Sequence, residues 1–141
     1  MVSRFTLGLG LAVVVASLLG APLPLQAQNC TANCRSDEIQ FTPGERIQVE
    51  FVNQSSRIVT VEQVPLIGPQ TLRPGQSTNI GFRWGTTPNI AIRFWAEANQ
   101  PIRAYLFRPA DRTLRVEIRD LPWQLSDRSI YIQNDGRVII Y

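Results

Sequence analysis

Along residues 76–119 lie Arg83, Arg93, Arg103, Arg115 and Arg119, interleaved with Trp95, Tyr105 and Phe107. A guanidinium makes bidentate hydrogen bonds to carboxylate, phosphate or sulfate, and an aromatic ring stacks on sugars or partner side chains. On one face of a sheet these side chains would form a binding platform. Arg83, Arg93, Trp95, Arg103, Tyr105, Arg115 and Arg119 are therefore the candidate binding residues. A solvated sheet face, with Arg and Glu pairing across strands and guanidinium groups covering rings, accounts for the same residue types.

The chemistry available elsewhere is narrow. All 14 basic residues are arginine, and the chain of 141 residues has no histidine. A base-composition bias of the organism would produce the same lysine-free content. Without imidazole there is no Ser-His or Cys-His nucleophile and no histidine metal ligand. Without lysine there is no Schiff base. A hydrolase would need two carboxylates roughly 5–9 Å apart in a cleft. Glu50, Glu62, Glu97 and Asp120 are the candidates, and no spacing in the sequence places a pair of them. The expectation is a non-catalytic chain with no cofactor and no bound metal.

Cys30 and Cys34, in Cys-Thr-Ala-Asn-Cys, are the only cysteines. In an oxidising compartment they are expected to pair, since three intervening residues can turn back to a Cα separation of about 5.5 Å. A redox pair would have two intervening residues at a helix start, and no helical pattern follows here.

Before them, Arg4 leads an uncharged apolar run from Phe5 to Gly20, followed by Ala21-Pro22-Leu23-Pro24-Leu25-Gln26-Ala27. That order is a secretory signal peptide with its cut after Ala27. The run is shorter than the about 20 residues a membrane span needs, so an uncleaved anchor is the lesser alternative. The chain divides into a signal peptide (1–27), a disulfide-pinned segment (28–37) and one domain (38–141). Removing 1–27 takes away Arg4 and no acid, which leaves a net charge of +2. So small a charge, on an exported chain, argues against a nucleic-acid partner. The expected location is periplasmic or extracellular, with membrane contact only through an uncleaved leader.

The elements that must position the candidate residues are strands. Glu45 to Asn53, Arg57 to Val64, Thr78 to Trp84, Asn89 to Glu97, Ile102 to Phe107 and Leu114 to Arg119 are apolar or β-branched runs, most of them alternating with period two. Pro65 and Gly68-Pro69 read as interruptions after the second run, and Leu72-Arg73-Pro74-Gly75-Gln76 as a turn. Asn134-Asp135-Gly136 between two apolar runs is a hairpin signal. Trp123 is expected over an open end of the core. The apolar run Val138 to Tyr141 must pair within the fold or with a partner chain. The expected architecture is an all-β antiparallel sandwich of about seven to nine short strands.

Pro43-Gly44, a strand ending in Phe51-Val52-Asn53, a second strand and then Pro74-Gly75-Gln76 resemble the first half of a cupredoxin-like or immunoglobulin-like secreted β-sandwich. The resemblance implies the fold. It also implies, for the copper-binding members, a histidine soon after the asparagine and a Cys, His and Met set near the carboxyl end. Arg57 and Ile58 stand where that first histidine would sit, no cysteine follows Cys34, and Met1 is the only methionine. Blue-copper ligation is thereby excluded.

One register is left open. Residues 102–107 have two apolar faces. A three-residue loop, Pro109-Ala110-Asp111, would put Arg103, Tyr105 and Phe107 on the face of Arg115, Glu117 and Arg119. A loop of two or four residues would put Tyr105 and Phe107 in the core instead. The three-residue loop is the expectation.

The functional expectation is an exported, non-catalytic accessory module for a protein or anionic glycan partner. The alternatives are a carboxylate hydrolase and a structural subunit that assembles through edge strands.

Overall fold

The computed structural model describes residues 39–81, 86, 88–122 and 125–141. The leader, Cys30, Cys34, Arg83 and Trp123 lie outside them. Nine strands are present among the described residues: β1 (Gln48–Asn53), β2 (Val59–Val64), β3 (Ile67–Leu72), β4 (Ser77–Gly81), β5 (Ile90–Ala96), β6 (Ile102–Ala110), β7 (Thr113–Asp120), β8 (Ser129–Ile132) and β9 (Val138–Ile140). They form a four-stranded sheet, β4-β1-β7-β6, and a five-stranded sheet, β3-β2-β5-β8-β9. This is the all-β sandwich that the alternation implies. All pairings are antiparallel except one, because β1 and β7 run parallel.

Two departures from the expected strands have one cause. Residues 67–72 form β3 despite Pro69, and β6 continues through Pro109 to Ala110. Both strands are sheet edges. A proline is tolerated at an edge, where its missing N–H removes no ladder bond.

The core is the pair of inner faces. Val49 and Phe51 of β1, Ile92 and Phe94 of β5, Leu106 of β6, Val116 of β7 and Ile130 of β8 are fully buried. Phe51 and Phe94 meet across the sheets with ring centroids 6.2 Å apart. Burying each such side chain stabilises the fold by roughly 1.5–3 kcal/mol.

Asn53 ties the sheets at one end and is itself fully buried. Its Nδ2 donates to the carbonyls of Arg57 (2.7 Å) and Leu72 (2.9 Å), and its Oδ1 accepts from the backbone N–H and hydroxyl of Ser55. Its own N–H donates to Gln76 and its carbonyl accepts from Gly75. The two motifs of the resemblance, Phe51-Val52-Asn53 and Pro74-Gly75-Gln76, are thus bonded directly to each other. The Pro-Gly turn reaches Asn53 because Gly75 takes the left-handed φ of 79° that lets Gln76 N–H return to Arg73.

The side between edges β6 and β9 is closed by residues 39–41. Ile39 and Phe41 are buried, and Gln40 bridges antiparallel to Arg137. Phe41 N–H donates to Gly136, and Val138 N–H donates to Ile39. From β6, Arg108 donates to the Gln40 carbonyl at 2.9 Å and lies 4.9 Å from the Phe41 ring centre. The Val138 strand is therefore held by β8 on one side and by this segment where it begins on the other.

Candidate binding surface

The β6–β7 hairpin decides what the outer face of the four-stranded sheet presents. Its connection is Asp111-Arg112, two residues long rather than three. A register shift between Phe107 and Ala110 supplies the odd residue as a bulge. Arg103 then stands opposite Arg119, Tyr105 opposite Glu117 and Phe107 opposite Arg115. The expected face is obtained by a different device from the expected loop. Ala104 and Leu106 fill the core between Ile102 and the bulge, while Tyr105 and Phe107 are half-buried on the outer face.

The candidate platform is not one surface. Arg93 and Trp95 belong to β5, whose Ile92 and Phe94 point into the core, so they lie on the outer face of the other sheet. Arg93 pairs there with Glu62 at 2.7 Å, and Trp95 stands opposite Thr60. Alternation within a strand cannot reveal this division, because both sheets read as apolar-in and polar-out. The chain crosses from one sheet to the other between β5 and β6. There Glu97–Asn99 make one 3-10 turn, with Ala98 and Asn99 at positive φ.

On the four-stranded face, charge alternates in a ladder. Arg115 meets Glu50 at 3.5 Å and Glu117 at 3.1 Å, and Arg119 meets Glu117 at 2.7 Å. Glu117 is only 7% exposed although it points outward. Its neighbours cover it, and both of its oxygens accept from guanidinium groups. Directly opposed like charges destabilise a sheet, and Arg103 and Arg119 are such a pair. Tyr105 lies beside both, with its ring centre 4.7 Å from the Arg119 guanidinium and 5.8 Å from that of Arg103. Glu117 neutralises Arg119 from the next position. Among the described residues Arg103 makes no ion pair, so of Arg103, Arg115 and Arg119 it is the least committed to an acid.

Two features were missed in sequence. Glu117 reads as an ordinary polar position, and its burial arises from flanking side chains on β7 and β6. On the five-stranded face, Val64, Ala91, Tyr131 and Ile139 stand in one cross-strand row over β2, β5, β8 and β9. Tyr141 packs edge-on against Tyr131 at 5.4 Å. The outward position of Tyr131 was legible in the alternation of β8. The row required the register of four strands.

The hydrolase candidates are scattered. Glu50 sits in the ladder, Glu62 pairs with Arg93 on the opposite face, and Glu97 is exposed in the 3-10 turn. Asp120 accepts from Ser56 N–H at 2.8 Å and lies 3.8 Å from Arg57. Among the described residues no three His, Cys, Asp or Glu side chains converge as metal ligands would. No protein-family model matches the chain, and a search of curated proteins finds no match.

Proposed function

We propose that the chain is an exported, non-catalytic binding module of the periplasm or cell surface that engages a protein or anionic glycan partner. The outer face of the four-stranded sheet is its contact surface. The supporting observation is the cluster of Arg103, Tyr105 and Arg119, in which two guanidinium groups flank one phenol ring and Arg103 has no acidic partner among the described residues. Aromatic and arginine side chains of this kind dominate contact energies when a partner excludes water from them. The leader-like first 27 residues support export.

A crosslinking pulldown from the exported fraction tests the reading. The wild type is compared with an Arg103→Gln, Tyr105→Ala variant and with an Arg93→Gln, Trp95→Ala variant. Partners lost from the first and kept by the second support it. The same partners recovered by all three, or lost only from the second, would sink it.

A further inference from the structure

At one end of the same face, Gly81, Gln48 and Thr113 form a row across β4, β1 and β7. A depression of about 650 Å³ opens there, lined chiefly by Arg46, Gln48, Asn79, Gly81, Arg112 and Thr113. The missing side chain of Gly81 leaves part of that space, since none of the described residues lies within 4 Å of where its β-carbon would stand.

We infer that this depression binds an acidic saccharide, a sugar chain bearing carboxylate or sulfate groups. The inference rests on the proposed binding-module reading and names its ligand class. Charge comes first. Arg112 is engaged by Glu45 at 2.7 Å, whereas Arg46 makes no hydrogen bond or ion pair among the described residues. Two guanidinium groups against one carboxylate leave one positive charge, and a planar fork suits carboxylate and sulfate oxygens. Hydrogen-bonding character comes second. The carboxamides of Gln48 and Asn79 and the hydroxyl of Thr113 each both donate and accept, as sugar hydroxyls do. An inorganic anion would use the guanidinium groups and the donors of these three and leave their acceptor oxygens without a role. Size and direction come third. The volume falls within the roughly 300–1,000 Å³ of small-ligand sites. The next row, Asn79, Glu50, Arg115 and Phe107, leads from the depression toward Tyr105 and Arg103. One chain of sugars can therefore occupy the depression and reach the aromatic cluster.

The test is calorimetric titration of the exported protein with three oligosaccharides of matched length: an oligogalacturonate, a sulfated glucan and a neutral glucan. Arg46→Gln removes the uncommitted charge. Gly81→Leu fills the depression at a site with open space among the described residues and no positive φ. At least one acidic oligosaccharide should bind, with the neutral one tenfold or more weaker. The uronate and sulfate arms identify which anion is taken. Arg46→Gln should weaken binding by roughly tenfold, the effect of losing one charge-assisted contact, and Gly81→Leu by about as much through occlusion, both with an unchanged unfolding midpoint. Equal binding of the neutral glucan, no binding of either acidic one, or binding indifferent to both variants overturns the inference. Acidic binding lost only in the Arg103→Gln, Tyr105→Ala variant overturns the depression while leaving the proposed contact face standing.

Discussion

Gly136 lies so close to Phe41 that a β-carbon on it would overlap the Phe41 carbonyl oxygen. The contact exists because Gly136 has a φ of 84° and accepts the Phe41 N–H at 2.9 Å. Gly136→Ala should therefore eject residues 39–41. A left-handed non-glycine residue costs about 1–2 kcal/mol, and exposing Phe41 or Ile39 costs about 1.5–3 kcal/mol each. Urea unfolding should show a loss of roughly 3 kcal/mol or more. A loss below about 1 kcal/mol would mean that the segment contributes little to closing the sandwich.

Asn53→Ala should be among the most damaging polar substitutions. It leaves the carbonyls of Arg57 and Leu72 and the N–H of Ser55 without their side-chain partner. Each buried group left unsatisfied costs about 1–3 kcal/mol, so the expected loss is about 3 kcal/mol or more. Ser55→Ala, which keeps Asn53 in place, should cost about 1 kcal/mol. Equal losses from both in chemical denaturation would contradict the hub role of Asn53.

Glu117→Gln leaves Arg103, Arg115 and Arg119 facing Glu50 alone among the ladder acids. The expected destabilisation is about 1–2 kcal/mol, larger than for an exposed pair because Glu117 is covered. High salt should reduce the difference, since it screens the repulsion among the partly exposed arginines. A salt-independent difference measured by thermal unfolding would point to lost packing instead.

The Asp135 carboxyl is held below its ordinary value, first by the Arg137 N–H and then by the Arg137 side chain. The groups lie 3.0 Å and 2.7 Å away, respectively. The stabilisation that follows is full above the unfolded-state value and is lost as the pH falls through the lower folded value. Carbon-detected NMR titration should find Asp135 titrating below the unfolded chain. A value at or above the unfolded one would contradict the turn geometry. Arg137→Gln should raise the folded value toward the ordinary one, since it removes the side-chain bond and leaves the backbone bond.

Much of the fold is legible residue by residue because strand alternation has an unambiguous period. Val49 and Phe51 identify the buried face of β1 without reference to any other strand, and Asp135-Gly136 identifies the β8–β9 hairpin. β3 was not legible, because Gly68 and Pro69 are strand-breaking signals in isolation. Only its place at a sheet edge makes Pro69 harmless.

The candidate residues themselves show where local information ends. The sequence determined that Arg93, Arg115 and Arg119 occupy polar positions, since each alternates with apolar residues along its own strand, whereas Arg103 lies on a run that is apolar on both faces. Tertiary structure decided which of them meet. Period two states inside or outside but not which sheet, so Arg93 and Trp95 were separable from Arg103 only once β5 and β6 were seen in different sheets. The exposure of Tyr105 and Phe107 turned on a single bulged residue near Pro109. One residue of register moves every side chain to the other face, and a pattern apolar on both faces carries no information about that step.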